Sequence, residues 1–294
     1  MNVGLNNSSR YTNTSTTSLS SNPIVLQLVV ATVAVVVLYL GMGSLEGLSG
    51  LIKRLQMART ELLPITYTMT NKTFQISQNP NVQGSNPVNP SNNAMTGTEF
   101  SYSFFLMIAP GSFKGDKGLT HIFHKGSPQE FPLLGPGVFM ASDTNTLYVY
   151  MNTYDKFNNC AKVENLPVGK WVHVAITCES SELLVYINGN IKTRLPFDKT
   201  PPYQNYGDIY AFSQRMITLR GSQIPAIGGT EDTFKVMGCA GGMLSRLFYF
   251  NYALSYSEIT SLMNQGPSST IDGTQGGMPA PYLKDNWWTA DFAT

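Results

Sequence analysis

The segment from Lys170 to Asn190 reads KWVHVAITCESSELLVYINGN, and no other stretch restricts the fold so tightly. Two apolar, β-branched runs, Trp171 to Cys178 and Leu183 to Ile187, flank the polar turn Glu179-Ser180-Ser181-Glu182. Branched and aromatic side chains pack well on a pleated surface, so both runs are expected as strands. The second run ends in Asn188-Gly189, the pair that best accepts the positive φ angles of a tight I′ turn, and a further strand is expected near Ile191. Trp171, opening the hairpin, is expected as a large buried anchor between two packed sheets.

Short β-prone stretches recur on both sides of this hairpin. They run from Thr66 to Thr70, Thr73 to Ser77, Glu99 to Ile108, Leu119 to His124, Gly137 to Ala141, Thr146 to Asn152 and Cys160 to Glu164. After it they run from Ile191 to Leu195, Ile209 to Phe212, Met216 to Arg220, Lys235 to Met237 and Met243 to Phe250. Gly, Pro and Asn turns separate them, and charged residues make up only 13% of the chain. That pattern predicts an all-β, two-sheet antiparallel jelly-roll sandwich. Gln78 to Thr98 is a polar loop, and Lys199 to Asp208 is an aromatic, Pro-rich surface excursion. Ser255 to Gln265 is a helix signal, with a Ser cap, Glu258 in the first turn and Gly266-Pro267 as its stop.

The N-terminal part has a different character. Met1 to Asn22 is mostly Asn, Ser, Thr and Gly, with Arg10 its one charge, and is expected to be disordered. Ile24 to Leu40 then reads IVLQLVVATVAVVVLYL, without a charge. With its flanks it is about 20 residues long, or about 30 Å as a helix, which matches a bilayer's hydrocarbon core. A single-pass transmembrane anchor is expected here, marked by Ile24, Val30, Val37 and Leu40. A cleaved signal peptide is the rival reading, with Gly41 and Gly43 as its small residues; the length of the run and the long, barely charged segment before it favour the anchor. Lys53, Arg54 and Arg59 against Arg10 place the C-terminal bulk on the cytoplasmic side. Ser44 to Leu63 repeats Leu, Ile and Ala at helical spacing until Pro64. This amphipathic stem suits the membrane surface, or packing on the following domain or a partner helix.

The chain thus divides into a polar tail (1–22), a transmembrane helix (23–43), a juxtamembrane stem (44–64), a sandwich (65–266) and a C-terminal tail (267–294). That tail carries Tyr282, Trp287 and Trp288, expected to dock on this chain or on a partner. A net charge of +1 without long like-charge blocks lacks the footprint of a nucleic-acid-binding protein. Cys160, Cys178 and Cys239 fit no zinc spacing. They read as buried free thiols, with a Cys160–Cys178 disulfide as the alternative.

Four blocks in order now resemble laminin-G-like, concanavalin A-like domains. They are Glu99-Phe100-Ser101-Tyr102-Ser103-Phe104; Ile122-Phe123-His124-Lys125-Gly126; Lys170-Trp171-Val172-His173-Val174-Ala175 with Leu184-Val185-Tyr186-Ile187-Asn188-Gly189; and Gly242-Met243-Leu244-Ser245-Arg246-Leu247 with Asn251-Tyr252-Ala253-Leu254-Ser255. The resemblance implies a jelly-roll sandwich. It also implies a calcium at the sandwich rim as the one cofactor to consider, for which the loop residues Asp143, Asp198, Asp208 and Asp232 are candidates without a spacing that selects among them. The arrangement of tail, anchor, sandwich and Ala280-Pro281-Tyr282-Leu283-Lys284-Asp285-Asn286-Trp287-Trp288 is similar to that of membrane-anchored minor capsid proteins of large icosahedral DNA viruses. That resemblance implies a virion protein in the internal membrane beneath the capsid, held in a host endomembrane during assembly and touching neighbouring capsid proteins.

A glycosidase of this fold needs paired carboxylates on one strand face, whereas Glu179 and Glu182 sit in a turn. His121 and His124 are three apart, which on a regular strand points them to opposite faces, and His173 reads as a packed or hydrogen-bonded core histidine. No nucleophile elbow is present. The expected function is therefore structural and non-enzymatic, a minor capsid role. The alternative is a membrane-anchored lectin-like module binding glycans, with or without calcium, through the aromatic loop from Tyr203 to Tyr210.

Overall fold

The computed structural model describes residues 24, 27–41, 59–70, 72–91, 97–197, 200–222 and 233–273. The chain separates into two units, Met1–Arg54 and Leu55–Thr294. In the first, residues 27–41 form helix α1. Leu28, Val30, Val37 and Leu40 are all exposed on it, and the Thr32 hydroxyl donates to the Leu28 carbonyl at 2.8 Å. Among the described residues no helix is long and apolar enough to cross a membrane.

The second unit is built of strands. In chain order they are β1 (Arg59–Thr68), β2 (Phe74–Ile76), β3 (Phe100–Ile108), β4 (Leu119–Gly126), β5 (Leu134–Ala141), β6 (Leu147–Met151) and β7 (Asn159–Val163). There follow β8 (Trp171–Cys178), β9 (Glu182–Ile187), β10 (Asn190–Pro196), β11 (Ile209–Ala211), β12 (Met216–Arg220), β13 (Thr233–Cys239), β14 (Gly242–Phe250) and one helix, α2 (Tyr256–Asn264). One antiparallel sheet runs β1-β14-β3-β8-β9-β10. The other runs β12-β13-β4-β5-β6-β7, and β11 joins it by pairing with β4 and β2. The sandwich expected from the sequence is present, with one departure: β13 pairs with β4 in parallel, from Val236↔Leu119 to Cys239↔His121. The same edge of β4 then takes β11 along Phe123 to Lys125.

Strand parity decides what enters the core. On β8, Val172, Val174, Ile176 and Cys178 face inward. Trp171 therefore points to the other face and is only half-buried, which corrects its expected role as the core anchor. Aromatic rings from both sheets fill that position: Phe104 lies 5.3 Å and Tyr102 5.7 Å from Phe123, and Tyr102 lies 5.1 Å from Tyr249, centroid to centroid. Each such side chain contributes about 1.5–3 kcal/mol by leaving water. The Asn188-Gly189 turn is as expected, with φ of 48° and 79°.

Arg59 to Leu63, which helical spacing assigns to the stem, is strand instead. Pairing with β14 decides this, because Leu62 and Leu63 are buried against the core there. Pro64 is tolerated because β1 is an edge strand and its register shifts between Leu63 and Thr66. The rest of the stem lies outside the described residues. Cys160 and Cys178 lie in different sheets, and all three cysteines are free thiols.

The chain after β14 returns over the outward face of the six-stranded sheet, where Ser101 Oγ donates to the Tyr252 carbonyl and accepts from Leu254 N. Helix α2 begins with a capping box: Ser255 Oγ accepts from Glu258 N, and Glu258 Oε2 accepts from Ser255 N at 2.8 Å. Replacing Ser255 by Ala is expected to cost about 1 kcal/mol, read as a lower urea midpoint with unchanged slope.

Candidate functional site

The outward face of the eight-stranded sheet is aromatic, and period-two geometry puts the rings there. On β6, Leu147, Val149 and Met151 enter the core, so Tyr148 and Tyr150 project outward. Phe139 on β5 and Phe234 on β13 join them. Tyr150 lies 5.7 Å from Phe139 and 5.8 Å from Phe234, and Phe131 from the β4–β5 loop lies 5.0 Å from Phe234. Tyr148 and Tyr150 stack with ring planes 16° apart. On β7, Lys162 pairs with Tyr148 and sets its ammonium 5.2 Å from the ring centroid.

Tyr148 and Lys162 form a ridge between two clefts. The larger, of about 530 Å³, takes its polar lining from Lys117, Asp143, Asn145, Lys162 and Glu164. The smaller, of about 330 Å³, is walled by Phe131, Tyr150, Phe234 and Cys160. The side chains of Lys117, Asp143, Lys162 and Glu164 have no hydrogen-bond or ion-pair partner among the described residues. Charges that the fold leaves unspent beside a rigid ring wall are suited to recognising a ligand with polar and apolar faces. Burial pushes the Cys160 thiol up to about 11 and the Tyr150 hydroxyl above its ordinary range. Both stay protonated at neutral pH, and the thiol offers no thiolate nucleophile.

The histidines lie behind this wall. His121 and His124 are not on opposite faces: their rings meet, with Nε2 of His121 2.7 Å from Nδ1 of His124. The register of β4 against β5 shifts between His121 and Phe123, and this irregularity turns Ile122 and Phe123 both inward and both histidines outward. Ser213 N donates to His121 Nδ1 at 3.0 Å, so Nε2 of His121 carries the proton that His124 Nδ1 accepts. Nε2 of His124 then donates to the Ser127 carbonyl at 2.7 Å. Both rings are satisfied as neutral imidazoles. His173 contacts Ser103 Oγ at 2.9 Å on the other sheet, as a packed histidine.

Of the calcium candidates, Asp143 and Asp208 are described, and the fold keeps them apart. Asp143 follows Ser142, whose N–H bonds to Gly118 at the start of β4, whereas the Asp208 carbonyl accepts from Gly126 at its end. The Asp208 carboxylate accepts from Gln75 Nε2 and Gln78 N, both at 2.8 Å. Asp198 and Asp232 lie outside the described residues, as do Tyr282, Trp287 and Trp288. No cluster of three or more His, Cys, Asp and Glu suited to a metal exists among the described residues. Glu179 lies in the β8–β9 turn and Glu182 opens β9, where it pairs with Arg194 at 3.2 Å. The aromatic loop does not form one platform: Tyr203 packs against Tyr154, Tyr210 stacks on His124 and Tyr206 is 84% exposed. Sequence reasoning passed over Tyr148, Tyr150 and Lys162, although the alternation in LYVYM carries the signal for the two tyrosines.

No curated protein matches the chain. Solved structures similar to it include the binding domain of botulinum neurotoxin DC in complex with SialylT, at 18% identity and a TM-score of 0.41, covering 59% of this chain and 36% of that one. The ligand binding domain of botulinum neurotoxin serotype D in complex with N-acetylneuraminic acid is similar at 14% identity and a TM-score of 0.41, over 57% and 37% of the two chains. The chain therefore spans well under half of each of these proteins, and at such similarity nothing of their ligands transfers. A family model does match, that of the concanavalin A-like lectin/glucanases superfamily, over residues 82–260. This match takes in β3 to β14 and both clefts, and the chain belongs to the concanavalin A-like lectin/glucanases superfamily.

Proposed function

We propose that the chain is a membrane-tethered, lectin-like module that binds a glycan along the outward face of its eight-stranded sheet and works by binding, not turnover. The observation that carries this reading is the pair of clefts divided by Tyr148 and Lys162. A sugar has an apolar C–H face and a polar rim of hydroxyls. The rings of Tyr150, Phe131 and Phe234 match the first, and Asp143, Glu164, Lys117 and Lys162 match the second. Membership of a superfamily of lectins and glucanases supports a carbohydrate ligand. The exposed apolar side chains of α1 support membrane attachment, since lipid covers such a surface at no desolvation cost. The narrower reading as a minor capsid protein rests on sequence resemblance, and no feature of the fold favours it.

The test is a glycan array probed with the full chain in detergent, followed by titration of the strongest ligand. Saturable binding is expected, weakened about tenfold or more by Tyr148→Ala, equivalent to about 1.4 kcal/mol, while the melting temperature stays within a few degrees. A blank array, or a ligand bound equally well by folded Tyr148→Ala and Glu164→Ala proteins, would remove the proposal.

A further inference from the structure

A third pocket lies apart from the ring-walled face. It has a volume of about 100 Å³ and sits where the segment after β2 and the loop before β11 meet the end of β4. Lys125 reaches into this region with only 2% of its surface exposed. Its ammonium donates to the Gly207 carbonyl at 2.6 Å, and among the described residues no other hydrogen bond or ion pair holds it. An ammonium has three donors, so two of them are unspent in a buried place. The nearest opposite charge, Asp208, is engaged elsewhere: its two oxygens accept from Gln75 and Gln78.

The pocket walls are committed to the fold. Gln78 Oε1 accepts from Val88 N, Gln204 bonds to Ser91 N and the Tyr249 hydroxyl, and Asn205 bonds to the Lys125 carbonyl and Gly207 N. These bonds hold the cavity open, and Lys125 is the cation among its lining residues, with donors left over. Tyr206, at its lining, turns an exposed ring to solvent. A volume of this size takes about three waters or one compact charged group, at about 30 Å³ per water.

We propose that this pocket binds one carboxylate group, which pairs with the Lys125 ammonium while the remainder of its ligand lies against Tyr206. A monoanion suits the site better than phosphate or sulfate, because a single ammonium faces it and the Asp208 charge stands nearby. The carboxylate arrives either as a free small acid or as the acid group of a sugar such as a uronate. The site does not depend on the glycan groove and shares no residue with it.

The experiment is a thermal-shift and calorimetric titration of the full chain with acetate, methyl glucuronide, methyl glucoside and sulfate. Acetate and the glucuronide are expected to bind saturably, with glucoside and sulfate inert. Binding of the glucuronide alone identifies an acidic sugar, and equal binding of acetate a free acid. Burial lowers the Lys125 ammonium to about 8, so carboxylate affinity is expected to fall about tenfold per pH unit above that value. Lys125→Met is expected to abolish binding, and Tyr206→Ala to weaken the glucuronide and leave acetate unchanged. Should the Met variant not fold, the pH dependence of the wild-type protein decides. Failure of both carboxylates to bind, binding that survives in folded Lys125→Met, or affinity that stays level through pH 8–10 would overturn the proposal.

Discussion

Acidification from pH 7 to about 4 is expected to unfold the sandwich, with three buried histidines as the cause. Burial lowers His124 and His173 to about 4, and holds His121 well below its ordinary 6.5, with the His124 neighbour adding to the effect. In the unfolded chain all three bind protons below about pH 6.5. In the folded protein His121 and His124 do not, because Ser213 N–H, His121, His124 and the Ser127 carbonyl form a chain of donors and acceptors with no place for another proton, and His173 does not because burial alone disfavours its charged form. The unfolded state therefore binds more protons, and stability falls as pH drops from 6.5 towards 4. It is fully present above 6.5. Each histidine contributes a slope of about 1.4 kcal/mol per pH unit, so His124 and His173 alone remove about 3 kcal/mol each across that window. Domains of this kind are stable by about 5–15 kcal/mol, so the loss is large. Glu130 opposes it, since burial raises its carboxyl and that group favours the folded state in acid. Urea titrations at several pH values check the slope, and His173→Gln is expected to reduce it by about one proton. A stability that stays flat between pH 7 and 4.5 would show that the rings are not held neutral.

Gly126→Ala is expected to cost about 4 kcal/mol or more, and in practice to prevent folding at 37 °C. Gly126 has a φ of +152°, and a Cβ there would stand 1.8 Å from the Leu133 carbonyl oxygen. Neither side can move away. Gly126 N donates to the Asp208 carbonyl at 3.0 Å, and the Leu133 carbonyl accepts from Ser127 N at 3.2 Å. Gly266, just past α2, makes the control. Its φ is +66° and an added Cβ would touch nothing within 4 Å, so Gly266→Ala is expected to cost only the left-handed penalty of about 1–2 kcal/mol. Chemical denaturation of the two variants side by side separates steric exclusion from backbone preference. Equal and small losses would mean that the β4–β5 corner is looser than these bonds imply.

Much of this architecture was legible because it rests on local chemistry. The hairpin from Trp171 to Ile187, the positive φ at Asn188 and Gly189, and the capped helix at Ser255 are properties of short segments, and their spacing in sequence carries them. Alternation places Val172, Val174 and Ile176 inside; the same rule places Trp171 outside, a consequence of parity that a large ring invites one to overlook. The outward rings of Tyr148 and Tyr150 were equally open to this rule. The family blocks from Glu99 to Ser255 fall inside the region that matches the superfamily, so fold class followed from residues alone.

Three features required the folded chain. One extra residue's worth of register shift in β4 puts His121 and His124 on the same face, and no pattern of apolar residues encodes where a strand will slip. Pairing with β14 converts Arg59 to Leu63 from apparent helix to strand, because a long-range ladder outweighs local spacing. The clefts and the Lys125 pocket join side chains from segments scattered along the chain, such as Gln78, Lys125 and Gln204. Period and propensity act between neighbours in sequence, and these are enough to encode the sandwich, its central hairpin and its caps. Which charges remained unspent, and which rings they stood beside, depended on how strands distant in sequence came to lie side by side.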